Sequence, residues 1–165
     1  MTTRVIAAPK NARGFSLGLV PTGTVGVSGT QIGMNLPQRK AFVLLLRQLA
    51  VTEFHHGDCI GVDAEAHALV RSMYPRCKII IHPPIVAVKR AFCRPGILMP
   101  PRPYLARNKD IVTACLTMII VPKEDREQRI GSGTWATYRY SVQANRQLHL
   151  IQTDGTVIQL PAPQK

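Results

Sequence analysis

Short apolar runs alternate with amphipathic segments through most of the chain, and this alternation predicts its fold. Five segments indicate strands, most of them apolar runs, at about 24–28, 53–56, 77–81, 116–121 and 148–151. Apolar residues at helical spacing indicate helices between them, at about 37–50, 66–73, 103–115 and 134–146. Strands that alternate with helices are typical of a parallel sheet covered on both faces. The pattern therefore predicts an α/β fold, a Rossmann-like three-layer sandwich with a mainly parallel sheet of about five strands.

The ends and faces of these elements also show in the pattern. Asn35 is placed to cap the first helix, and Pro37 suits its first turn. The buried face of that helix is an i, i+3, i+4, i+7 stripe of Phe42, Leu45, Leu46 and Leu49. The nearly all-apolar run 116–121 is typical of a strand that is buried on both faces. A turn signal precedes a predicted edge strand at 157–160.

The chain divides into one domain with a tail at each end. Residues 1–22 contain proline and glycine without periodicity, which predicts a flexible basic tail. The domain covers residues 23–160, and residues 161–165 form a C-terminal tail. Within the domain, the stretch 83–103 holds six prolines and is predicted to be irregular. Loops of this length inside compact domains are usually functional or mobile.

Composition and charge narrow the class of partner. The 165 residues are 45% hydrophobic, as in globular proteins, and carry a net charge of +12. Such a charge favours anionic partners, which are nucleotides, nucleic acid or acidic surfaces. Because aromatic residues make up only 5% of the chain, few side chains can stack on the bases of single-stranded nucleic acid. No apolar run is long enough to span a bilayer, so no membrane partner is expected.

The cysteines and histidines predict neither a metal site nor a cofactor. No C-x-x-C pair occurs among the four cysteines, Cys59, Cys77, Cys93 and Cys115. We infer reduced thiols and a cytoplasmic location. His55, His56 and His82 lie at predicted strand ends near Asp58, but their spacing matches no metal-binding signature.

Glycine clusters follow three of the predicted strands. They are Gly29 beside Thr30, Gly57 with Gly61, and Gly131 with Gly133. In parallel α/β sheets, ligands bind beyond the carboxyl ends of the strands, where the strand order reverses. The sequence therefore predicts a ligand crevice at this edge of the sheet.

The segment Gly131-Ser132-Gly133-Thr134 opens a predicted helix and has the composition of a phosphate-binding loop. Glycines let backbone N–H groups approach a ligand, and a helix start adds free donors and a positive dipole end. Ser132 and Thr134 add hydroxyl donors. An ordinary loop with a serine or threonine cap is the alternative interpretation.

Four further positions could contact a ligand. Arg107 lies early in the helix before the fourth strand, and its guanidinium matches phosphate or carboxylate; the alternative is a surface arginine. Asn108 beside it is a ligand contact or a surface amide. Asp63 precedes a helix, which favours an N-cap, with contact to a ribose hydroxyl as the alternative. Asp58 contacts the ligand, a hydroxyl group or neither.

Four motifs in this order resemble the SLOG superfamily of Rossmann-like proteins, over about residues 24–151. They are V-G-V-S-G-T (25–30), H-G-D-x-x-G-x-D-A (56–64), Y-L-x-R-N-x-x-I-V (104–112) and G-S-G-T-x-x-T (131–137). The superfamily includes the LONELY GUY phosphoribohydrolases, the DNA-processing recombination mediator and molybdenum-cofactor carrier-like proteins. The resemblance implies a phosphate loop at Gly131–Thr134, an Arg107 that helps to hold the nucleotide, and a Gly29–Thr30 loop beside the phosphate or base. It also implies a homo-oligomer.

One position departs from the LONELY GUY enzymes. Where they carry a glutamate after the glycine loop, this chain has Thr137, as in the recombination mediator. A hydroxyl stabilises a ribosyl cation or activates water much less well than a carboxylate does. We therefore favour a nucleotide or phosphoribosyl binder over a nucleotide N-glycosidase or a single-stranded nucleic-acid binder. No catalytic residue is assigned, although three carboxylates are candidate substitutes: Glu53, Asp58 and Glu65.

Overall fold

The computed structural model describes residues 23–160, so the predicted tails at 1–22 and 161–165 lie outside the described residues. The strands in chain order are β1 (Thr24–Gly29), β2 (Glu53–His56), β3 (Lys78–Ile81), β4 (Ile97–Leu98), β5 (Thr117–Val121), β6 (Gln147–Ile151) and β7 (Val157–Leu160). The helices are α1 (Leu36–Gln48), α2 (Val62–Met73), α3 (Tyr104–Ala114) and α4 (Gly133–Gln143). The residues described include no helix long and apolar enough to cross a membrane.

The strands form one sheet in the order β4-β3-β2-β1-β5-β6-β7. Every neighbouring pair is parallel except β6 and β7, which are antiparallel. The predicted Rossmann-like α/β fold is confirmed, but the sheet is larger than the five strands predicted. Besides the predicted edge strand β7, it includes β4, which lies in the stretch predicted to be irregular. A strand of two residues is too short to show a periodicity of two.

The helices cover both faces of the sheet. The helices α1 and α2 pack on one face, where their apolar side chains join those of β1, β2 and β3. The helices α3 and α4 pack on the other. The central strand β5 shows the two faces directly, because Ile119 and Val121 lie in the first cluster while Met118 and Ile120 lie in the others. All five residues of β5 are buried, as predicted for this run.

The start of α1 confirms the predicted cap. The Asn35 side chain accepts a hydrogen bond of 2.9 Å from the Gln38 backbone N–H, and the Gln38 side chain accepts one from the Asn35 backbone N–H. This reciprocal capping box satisfies two donors that a helix otherwise leaves free. The predicted stripe follows it, with Phe42, Leu45 and Leu46 buried in the core.

The strand order reverses at β1. From β1 the chain adds β2, β3 and β4 on one side, and it then crosses to place β5 on the other side of β1. The two strands are linked beyond their carboxyl ends, where the Thr30 N–H donates to the Val121 carbonyl over 3.0 Å. This topology opens a crevice between the loops that follow β1 and β5.

His149 on β6 makes the fold sensitive to acid. Its side chain is buried, and within residues 23–160 neither ring nitrogen has a hydrogen-bond partner. Burial lowers the pKa of His149 to about 4. As pH falls, the unfolded chain therefore binds a proton at His149 before the folded chain does. The contribution of neutral His149 to stability is fully present above the ordinary histidine pKa and is lost as pH falls through about 4.

We expect the free energy of unfolding to fall between about pH 7 and about pH 4.5, and to fall by about 2 kcal/mol less in a His149→Leu variant. Urea denaturation at both pH values measures this difference. Equal losses in the two proteins would contradict the assignment to His149.

Candidate binding crevice at the carboxyl end of the sheet

The crevice at the strand reversal has a volume of about 360 Å³. Five parts of the chain form its walls: the loop after β1, the turn before α2, the segment between β3 and α3, the start of α3, and the loop from β5 into α4. Nine of the predicted site residues line it: Gly29, Thr30, Asp63, Arg107, Asn108, Gly131, Ser132, Gly133 and Thr134. The fold thus brings together residues that lie more than 100 positions apart in the chain.

The start of α4 presents backbone donors to the crevice. Ser132 is the N-cap, and its side chain accepts a hydrogen bond of 3.2 Å from the Trp135 N–H. The N–H groups of Gly133 and Thr134, in the first turn of α4, have no hydrogen-bond partner in the described part of the chain. Gly131 has a φ of 79°, a conformation that favours glycine. This segment therefore has the geometry of an anion site at a helix N-terminus.

Arg107 on α3 is buried, with only 5% of its surface exposed, and its charge is poorly neutralised. One Nη lies 3.9 Å from Asp63 Oδ2, and the other donates to the Cys59 sulfur over 3.2 Å. The Nε atom has no hydrogen-bond partner among the described residues. A thiol is a weak acceptor, and burial raises the pKa of Cys59, which keeps the thiol protonated. The guanidinium therefore retains the capacity to bind an anion.

Gly57 makes room for this guanidinium. A Cβ atom at Gly57 would lie 1.2 Å from an Arg107 Nη, far closer than any contact allows. Gly57 is thus placed behind the crevice and not in its lining. Its contribution is the space in which the arginine lies.

Asp63 does not cap α2 as predicted. The helix begins at Val62 with Gly61 at the N-cap, and Asp63 Oδ2 instead accepts hydrogen bonds of 3.1 Å from the N–H groups of Gly57 and Cys59. The side chain therefore ties the turn after β2 to α2. Burial raises the pKa of Asp63 to about 6, and the neighbouring Arg107 charge offsets only part of that rise.

Two other predicted residues lie outside the lining. Asp58 is fully buried, where Oδ2 accepts from Arg90 Nε over 2.7 Å and Oδ1 accepts from the Cys93 N–H over 2.8 Å. It therefore fastens residues 82–103, the segment between β3 and α3, to the sheet. Thr137 is also fully buried and donates to the Gly133 carbonyl over 2.9 Å, so its hydroxyl is used within α4.

The candidate substitute carboxylates are also placed elsewhere. Glu53 lies at the amino end of β2, paired with Lys78 and His55. Glu65 accepts a hydrogen bond of 3.1 Å from the Met34 N–H. The acidic side chains that do line the crevice are Asp63 and Glu124.

The histidines divide between the two faces of the sheet. His55 bonds to His82 over 2.9 Å, whereas His56 bonds to His67 over 3.0 Å, and neighbouring residues of a strand point to opposite faces. His55, His56 and His82 therefore cannot share one metal ion.

His56, His67 and Cys93 do lie close enough together to ligate a metal. The Asp58 N–H donates to His56 Nδ1, so neutral His56 carries its proton on Nε2 and donates it to His67 Nδ1. The remaining His67 nitrogen bonds to the Arg94 carbonyl over 3.3 Å. This network explains the cluster without a metal ion.

Some lining residues lack a local sequence signal. Lys89 comes from the middle of the β3–α3 segment, where the bonds of Asp58 to Arg90 and Cys93 hold the neighbouring backbone. Lys123 and Glu124 follow β5 directly. Their position after a predicted strand is the one signal that could have identified them.

Comparison with known proteins supports the fold and nothing finer. No family model and no curated protein matches the chain. The X-ray structure of TM1055, a structural genomics target, is similar with a TM-score of 0.55. The sequence identity is 15%, over 81% of this chain and 76% of that one. The chain is thus an α/β protein with a Rossmann-like fold, in which a crevice lies at the reversal of strand order.

We expect Gly57→Ala to displace the Arg107 guanidinium and to weaken sulfate binding in the crevice about tenfold, as for a lost charge-assisted bond. Calorimetric titration with sulfate measures the affinity.

The double variant Gly57→Ala, Arg107→Ala serves as the control. If Gly57 acts through Arg107, the double variant binds no more weakly than Arg107→Ala alone. Additive losses would contradict this link.

Proposed function

We propose that the crevice binds the phosphate group of a nucleotide or another phosphoribosyl ligand. The observation that carries this proposal is Arg107, a buried guanidinium without a full set of acceptors, which shares the crevice with the free N–H groups of α4. A buried donor without a partner is costly. A phosphate would supply acceptors to both groups.

The charge and size of the crevice suit a small anionic ligand. Lys89, Arg107 and Lys123 line it, against Asp63 and Glu124. The positive end of the α4 dipole adds to this excess. The volume of the crevice, about 360 Å³, lies at the lower end of the range for small-molecule sites, which favours a mononucleotide over a larger ligand.

The SLOG resemblance supports the same ligand class. Its first motif forms β1 and the loop after it, its third opens α3, and its fourth opens α4. Residues of all four motifs line the crevice. The resemblance implies ligand contacts at Gly29–Thr30, Arg107 and Gly131–Thr134, so the proposal for this chain is binding of a related ligand.

Hydrolysis of the N-glycosidic bond is a weaker proposal. The position of the enzymes' glutamate is Thr137, whose hydroxyl bonds within α4. Of the buried carboxylates, Asp63 lines the crevice, but two backbone N–H groups already engage one of its oxygens. We therefore favour a binding protein.

Nucleic-acid binding is the second candidate, favoured by the net charge of +12. An exposed basic surface attracts polyanions of any sequence, with an affinity that depends on counterion release. That attraction does not require the crevice.

We expect Arg107→Ala to weaken binding of a nucleoside monophosphate by roughly 1.5–3 kcal/mol, and Arg107→Lys to restore only part of the loss because it lacks the forked geometry. Calorimetry with AMP and GMP measures both. Unchanged affinity in Arg107→Ala would remove the basis of the proposal.

Binding to single-stranded DNA should be detectable at low salt and should collapse as salt rises. Fluorescence anisotropy with a labelled oligonucleotide, repeated across a salt series, follows it. Tight binding that persists at physiological salt and depends on Arg107 would instead favour the nucleic-acid function.

A further inference from the structure

Asp63 places one carboxylate oxygen in the crevice without a partner. Its Oδ2 accepts from the N–H groups of Gly57 and Cys59, while Oδ1 receives no hydrogen bond from residues 23–160. Only 4% of the Asp63 surface is exposed, and the residue lines the crevice. The two backbone bonds fix the side chain, so the free oxygen keeps one direction.

Because this oxygen is open to the crevice, a donor group on a ligand can bond to it. An ammonium group would be repelled by the cations that line the same crevice, Lys89, Arg107 and Lys123. A hydroxyl group carries no charge and donates a hydrogen bond. The arrangement therefore favours a neutral hydroxyl donor.

The spacing of the two side chains suits a sugar phosphate. Asp63 Oδ2 and an Arg107 Nη are 3.9 Å apart, so a hydroxyl on Asp63 and an anion on Arg107 would belong to neighbouring parts of one ligand. In a nucleoside monophosphate the ribose is directly attached to the phosphate.

We propose that Asp63 binds a ribose hydroxyl and that the crevice thereby selects ribonucleotides over deoxyribonucleotides. This inference rests on the proposed function, because it assumes that the phosphate lies at Arg107 and the start of α4. Selection of this kind would also disfavour DNA as an occupant of the crevice, since DNA lacks the 2′-hydroxyl.

The test compares ribose 5-phosphate with its 2-deoxy and 3-deoxy analogues by calorimetry, with inorganic phosphate as the probe that lacks a sugar. These probes need no knowledge of the base. At about pH 8 Asp63 is ionised, because its pKa is about 6. We expect the 2-deoxy analogue to bind at least tenfold more weakly than ribose 5-phosphate, as for a lost bond to a charged group, and the 3-deoxy analogue to bind about as well as ribose 5-phosphate.

Two variants assign the preference to Asp63. Asp63→Ala should reduce the ratio of the two affinities to about one. In Asp63→Asn the amide oxygen can keep the bonds to Gly57 and Cys59 while the NH2 group donates to the hydroxyl oxygen, so the ratio should fall to about three, as for a bond to a neutral group. Inorganic phosphate should bind both variants at least as well as the native protein. Glu65→Gln is the matched control, because this neighbouring carboxylate of α2 bonds to Met34 and should leave the preference unchanged.

The outcomes separate the two proposals. If inorganic phosphate binds and requires Arg107 but the 2-deoxy analogue is not disfavoured, the inference about Asp63 is wrong and the proposed function stands. A preference that survives unchanged in both Asp63 variants also overturns it. If neither phosphate nor ribose 5-phosphate binds, both proposals fail.

Discussion

The packing of the Arg107 guanidinium against Gly57 is the contact on which the crevice depends. It brings a cation from α3 over the turn that follows β2, although α3 comes after β3 and β4 in the chain. Asp63 completes the arrangement, because its bonds to the Gly57 and Cys59 N–H groups hold that turn in place. A cation, a carboxylate and a helix start therefore share one cavity, and each is positioned by backbone as much as by side chains.

The charge of the Arg107 guanidinium is only partly neutralised within the protein. The cation is buried, but its acceptors are a thiol and a carboxylate oxygen 3.9 Å away. Pairing it fully inside the protein would stabilise the fold and abolish its affinity for anions. The raised pKa of Asp63 shows the same balance, because burial outweighs the attraction of the neighbouring charge. The proposed ligand, which brings both an anion and a hydrogen-bond donor, would supply a partner to each of these two side chains.

Periodicity predicted the parts of the fold that local sequence controls. The capping box at Asn35 and the doubly buried strand β5 both follow from residues within a few positions of each other. The site required long-range contacts, and there the predictions diverge from the structure. Asp63 was expected as a cap because the sequence pattern placed it before a helix, but Gly61 is the N-cap and Asp63 lies within the first turn. The role of Asp58 depends on Arg90, which lies 32 residues further along the chain.

The fastening of residues 82–103 at Asp58 has a consequence for how related chains can diverge. The Arg90 side chain and the N–H groups of Ala91 and Cys93 all bond to Asp58, so a short stretch of backbone anchors a long segment. Between β3 and these bonds, the exposed residues 86–88 can change in number and composition while β4 stays paired with β3. Since the same segment carries Lys89 into the crevice, ligand preference can evolve there by insertion or deletion, without any substitution in the core.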